Sequence, residues 1–74
     1  MKNKLAVAKH LSDSEYKLLL QVNSEHIRSM GFNERKNYTL LDLVKVERNF
    51  SDKCLNVYYE NGEWFKYHTD GTWS

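Results

Sequence analysis

Two hydrophobic periodicities divide this chain. Between Asp13 and Met30 apolar residues return every three to four positions, and between Val44 and His68 they alternate with polar ones. The first pattern is that of an amphipathic helix and the second that of half-buried strands. Ser12 and Glu15 have the spacing of a capping box, and Leu11 can clasp Tyr16 as a hydrophobic staple, so the helix is expected to start at Asp13. At 100° per residue Tyr16, Leu19, Leu20, Asn23, Ile27 and Met30 share a face, with Val22 and His26 at its edges. Gly31 is the expected left-handed stop, with Phe32 folded back as in a Schellman motif. Residues 33–37 read as irregular. Thr39 can cap one turn through Leu40, Leu41 and Asp42, and the alternation of Val44 to Phe50 then turns Val44, Val46 and Phe50 inward and Lys45, Glu47 and Asn49 outward.

The stretch from Cys54 to His68 is a hairpin around Asn61-Gly62. A two-residue turn would set Glu60 against Glu63, with like charges directly opposed. A three-residue loop, Glu60-Asn61-Gly62 with Gly62 left-handed, avoids this. It sets Tyr59 against Glu63, Val57 against Phe65 and Leu55 against Tyr67 on one face. The other face then pairs Tyr58 with Trp64, Asn56 with Lys66 and Cys54 with His68. One face becomes apolar and the other mixed, as a sheet covered on one side requires. The expected fold is therefore α+β: one N-terminal amphipathic helix packed on a three-stranded antiparallel meander, in the order α-β-β-β. Residues 1–74 read as a single small domain, with 1–11 an arm or an extra short element.

One helix covers one face of a sheet. The other face is expected to show Lys45, Glu47, Asn49, Asn56, Tyr58, Trp64, Lys66 and His68. Tyrosine and tryptophan offer large contact area at low entropic cost and concentrate in binding hot spots. Tyr58, Trp64, Lys66, His68 and Lys45 are thus the candidate partner-binding residues, and a protein is the expected partner. The competing structural reading gives Tyr58 and Trp64 no role beyond a cross-strand pair worth up to about 1 kcal/mol. A third reading covers them with residues 1–10 or with Trp73.

Composition narrows the chemistry. The chain has 74 residues, 11 basic and 10 acidic, for a formal net charge of +1. That balance gives no global attraction to polyanions or anionic membranes. Single-stranded nucleic acid stacked on the same aromatic face is the alternative function, although Glu47, Glu60 and Glu63 offset the nearby lysines. Arg28, Arg35 and Lys36 form a second basic cluster. No apolar stretch approaches the roughly 20 residues of a membrane span, and Leu5 to Ala8 is short of a signal-peptide core of about 7–15 apolar residues. A single cysteine excludes an internal disulfide and suits a reducing, cytoplasmic setting.

Enzyme chemistry is not expected, and no catalytic, cofactor-binding or metal-ligating residue is assigned. Cys54 and His68 oppose each other in the hairpin, but a nucleophile also needs an orienting group, an oxyanion site and a pocket. His10, His26 and His68 are widely spaced, and one sulfur is poor provision for zinc. His26 reads as a hydrogen-bonded boundary residue. Asn23, at the centre of the helix face, needs a partner in the sheet or near Gly31.

The tail, Tyr67 to Ser74, carries Trp73 almost at its end. A ring there is expected to pack on its own sheet or on a second copy. Small domains often gain burial as homodimers, and the last strand is an edge open to strand addition. The aromatic pairs around Asn61-Gly62, followed by Asp70-Gly71-Thr72-Trp73, resemble small proteins of low-GC bacteria and their mobile elements. That resemblance covers the last third and implies no site. The expected role is a small regulatory binding protein.

Overall fold

Ser12 starts the main helix as its sequence requires: its Oγ accepts from the Glu15 N–H at 3.2 Å, and Glu15 Oε1 accepts from the Ser12 N–H at 2.7 Å. In the computed structural model, which describes residues 5–74, this helix (α1) runs Asp13–Arg28. Its buried residues are Leu19, Val22, Asn23 and His26. Leu20 is exposed, so the buried stripe lies further toward Val22 and His26 than the apolar periodicity alone predicts. Hydrogen bonds from Asn23 and His26 into the sheet account for that rotation.

Gly31 is not the left-handed stop. Its φ of −67° and ψ of 163° are extended, and it is the N-cap of a second short helix, α2 (Phe32–Arg35). Ser29 ends α1 instead, its Oγ donating to the His26 carbonyl at 2.7 Å. Phe32 is consequently left outside, 79% exposed, rather than folded back. Thr39 does open one turn over Leu40–Asp42, with its N–H and Oγ1 both donating to Asp42 Oδ2 at 3.0 and 2.8 Å.

Three antiparallel strands follow in spatial order β1-β2-β3: β1 (Leu43–Asn49), β2 (Cys54–Tyr59) and β3 (Trp64–His68). The hairpin has the expected register, Val57 against Phe65 and Tyr58 against Trp64. Gly62 has φ +92°, and the Tyr59 N–H donates to the Glu63 carbonyl at 2.9 Å. Only glycine adopts that φ without strain. The fold is thus α+β, a main helix before a three-stranded meander.

β1 departs from simple alternation. Leu43 faces Tyr59 but Lys45 faces Tyr58, so Val44 is an extra residue in a bulge. Leu43 and Val46 therefore point inward, while Val44 is 53% exposed. Phe50, also expected inward, is 82% exposed in the turn after β1. Residues 6–8 make a 3-10 turn beside β1, with Ala8 and Leu11 buried in the core. Of the segment expected to be an arm, residues 1–4 lie outside the described residues.

The core is closed by a polar chain. Asn23 Nδ2 donates to the Tyr38 carbonyl at 2.9 Å and to the hydroxyls of Tyr59 and Tyr67 at 3.0 and 3.4 Å. The two hydroxyls are 2.6 Å apart, and Tyr67 reaches His26 Nδ1 at 2.9 Å. Asn23 is thus satisfied by the sheet and by the loop at Tyr38, and His26 is fully inside rather than at the boundary.

Candidate protein-docking face

The outer face of the sheet is set by strand parity. With Leu55, Val57, Tyr59 and Tyr67 buried against α1, their neighbours Asn56, Tyr58, Trp64, Lys66 and His68 point the other way. Tyr58 and Trp64 stack across the strands, ring centroids 5.6 Å apart and planes 20° from parallel. Trp64 keeps 48% of its surface exposed. On β1, Lys45 Nζ lies 5.7 Å from the Tyr58 ring centroid, within cation–π range. The Tyr58 hydroxyl donates to Glu47 Oε1 at 3.1 Å, which fixes the ring over the middle strand.

The lysines of this face are not free cations. Lys45 Nζ is 3.1 Å from Glu47 Oε2, and Lys66 Nζ is 2.7 Å from Asp52 Oδ2. The Lys45 and Tyr58 hydrogen bonds hold the Glu47 carboxyl below its usual range, and Lys66 does the same for Asp52. Asn49 joins these groups, donating to Asp52 at 3.2 Å and to Asn56 at 3.4 Å. The result is an aromatic centre flanked by two neutralised ion pairs. Glu47 and Asp52 complete the site. Glu47 was legible as an outward position of β1, whereas Asp52 is in the turn and reaches Lys66 only because of how that turn is folded.

His68, at the far end of the face, gives Nε2 to a 2.9 Å hydrogen bond with Ser74 Oγ. It therefore stands beside the tail and apart from the Tyr58–Trp64 stack. Cys54, its cross-strand neighbour, is buried, and its Sγ lies 3.7 Å from Asn56 Oδ1. Burial pushes the thiol pKa up, with the Asp52 charge adding to it, which favours the unreactive protonated form. Cys54 and His68 thus share a register position but take different partners. Among the described residues no three of His, Cys, Asp and Glu gather closely enough to hold a metal ion.

Trp73 does not cover the outer face. Its ring packs on the core side, 5.1 Å from the His26 ring, and Tyr67 bridges to Trp73 as an added short strand. The Lys66 N–H donates to the Ser74 carbonyl at 3.1 Å, the Ser74 N–H returns to Lys66 at 3.0 Å, and the His68 N–H donates to Thr72 at 2.8 Å. The edge of β3, expected to be open, is therefore closed by the tail. Among the described residues no helix is long and apolar enough to cross a membrane. The chain matches no protein-family model, no curated protein and no solved structure.

Proposed function

We propose that this is a small non-catalytic, regulatory binding protein that docks a protein partner on the outer sheet face. The contact is centred on Tyr58 and Trp64 and bordered by Lys45, Lys66 and His68. The observation that carries the reading is the half-exposed Tyr58–Trp64 stack, set in a face whose lysines are each paired with a carboxylate. A partner that fits it presents an apolar or aromatic side chain to the stack. Its rim carries both signs of charge, to meet Lys66 on one side and Glu47 on the other. Aromatic centres with a mixed polar rim are the usual anatomy of protein contacts.

The same charge arrangement weighs against single-stranded nucleic acid. Stacking on Tyr58 and Trp64 is geometrically open, but phosphates need uncompensated cations along the strand. Here Glu47 and Asp52 stand in those places.

The test compares the protein with its Trp64→Ala variant in affinity capture from host extract, at low and at moderate salt. A species held by the parent across both salts and lost by a folded Trp64→Ala variant supports the docking face. Equal capture by both proteins overturns it. A parallel titration with mixed-sequence oligonucleotides, read by fluorescence in a Trp73→Phe background so that Trp64 alone reports, is expected to give no saturable quenching. Quenching that fades as salt rises would replace the proposed partner with nucleic acid.

A further inference from the structure

Six large apolar side chains stand exposed among the described residues, and three of them, Leu41, Val44 and Phe50, lie in β1 or within two residues of its ends. The two outer strands of the sheet are also finished differently. β3 is hydrogen-bonded to residues 72–74, whereas among the described residues the Leu43 N–H closes the turn at Leu40 and no other backbone bond joins β1 to anything but β2. The turn at Ala6–Ala8 packs beside β1 without bonding to its backbone.

The parity of the ladder says which groups of β1 face away from β2. The Tyr59 N–H donates across the hairpin to the Glu63 carbonyl, so Val57 and Leu55, of the same parity, direct their backbone groups at β3, and Tyr58, Asn56 and Cys54 direct theirs at β1. On β1, Lys45, Glu47 and Asn49 then answer β2, and Val46 and Arg48 turn their N–H and C=O outward. The bulge at Val44 ends the regular ladder on that side.

A second copy adding antiparallel to this edge, with two-fold symmetry, has three registers. Val46 opposite the partner's Arg48 sets Glu47 against the partner's Glu47. Arg48 opposite the partner's Arg48 opposes two guanidinium groups. Val46 opposite the partner's Val46 does neither: it sets Lys45 against the partner's Glu47 twice over, and brings the Phe50 end of each strand to the Leu41 end of the other. Opposite charges directly across a ladder are favourable and like charges are not.

We propose that this chain forms a symmetric dimer by pairing the outer edge of β1 with that of a second copy, antiparallel and centred on Val46. The two meanders become one continuous sheet, with both Tyr58–Trp64 stacks on the same uncovered face. The interface is isologous, the same strand serving both copies, and its chemistry is strand addition to a sheet edge. It rests on the edge of β1, with its register set by Lys45 and Glu47, and not on the Tyr58–Trp64 stack, so the docking contact and the dimer can fail separately.

The test is sedimentation of the parent, of Lys45→Glu, of Glu47→Lys and of the two variants mixed. The parent is expected to be a dimer. Each variant alone opposes like charges at both symmetric positions and weakens the dimer at least about tenfold. Mixed in equal amounts they restore opposite charges at both positions, and a heterodimer of near-parent affinity is expected. Both side chains lie on the outer face, away from the buried core, so circular dichroism should show the same fold in each even though each substitution ends the Lys45–Glu47 pair. A parent that stays monomeric at the highest soluble concentration overturns the proposal. So do variants that dimerise as the parent does, or a mixture that stays as monomeric as its components.

Discussion

At His26 the fold holds an ionisable ring at 3% exposure, edge-on to Phe65 at 4.5 Å and Tyr67 at 5.6 Å and beside Trp73. Asn23 donates to both tyrosine hydroxyls, which lie 2.6 Å apart, and the Tyr67 hydroxyl lies 2.9 Å from His26 Nδ1. Burial lowers the His26 pKa from 6.5, and the negative charge of Glu34 only partly opposes it. The unfolded chain therefore binds the proton more readily than the folded one. Stability from this group is complete above about pH 6.5 and declines as the pH falls below it. A charged ring donates from both nitrogens, so the Tyr67 hydroxyl must then accept from Nδ1. Urea midpoints measured between pH 7.5 and 5 should fall for the parent, and His26→Gln should flatten that fall. An equal slope in the variant would place the effect elsewhere. The sequence flagged Asn23 as a polar residue on an apolar face but could not supply its partners. These are Tyr38, Tyr59 and Tyr67, between 15 and 44 positions away.

The elements were legible where their signals were local. Ser12 and Glu15 are three residues apart and start α1 as expected; the clash of Glu60 with Glu63 was enough to select the looser turn and its register. Where a distant contact decided, the reading failed. Gly31 carries the chain into α2 instead of reversing it. The bulge at Val44 sits where the Glu60 N–H bonds the Asp42 carbonyl at 2.9 Å, a contact between the start of β1 and the hairpin turn. Arg48 is the other element-scale surprise. It ties β1 to the start of α1, with Nε and Nη2 donating to Glu15 at 2.8 and 2.7 Å and Nη2 to the His10 carbonyl at 2.6 Å. That guanidinium, with the Ser12 N–H second, holds the Glu15 carboxyl at about 2 against an ordinary 4.5. The lowered pKa means the ion pair stabilises above pH 4.5 and is lost as the pH falls toward 2. Glu15→Gln can keep the back-bond to Ser12 but not the ion pair. It should cost up to about 1 kcal/mol at neutral pH, the range of a partly exposed pair. Thermal melts from pH 5 to 2 should then show a shallower acid loss than in the parent. A variant as acid-sensitive as the parent would remove Glu15 from the account.

For the whole molecule the decisive matter is how a three-stranded sheet with one covering helix ends its strands. The tail solves this on the β3 side in two ways at once. Thr72 and Ser74 occupy the backbone groups of Lys66 and His68, and the ring of Trp73 between them packs beside His26 over the core. Sequence alone suggested that a tryptophan so placed should pack, but not that it also closes an edge. The two roles separate experimentally. Trp73→Ala keeps the backbone bonds and loses the ring, costing about 2 kcal/mol for a half-buried aromatic. Removing residues 72–74 loses the ring and takes the bonded partner from the edge of β3. A sheet with two open edges can add copies head to tail without closing, whereas one open edge permits only a pair. The shortened chain should therefore sediment as species larger than a dimer that grow with concentration, while Trp73→Ala, comparably destabilised, should not. Growth in both variants would trace the association to lost stability rather than to the exposed edge. Growth in neither would mean that the backbone of β3 does not recruit strands, and that the tail serves the core alone.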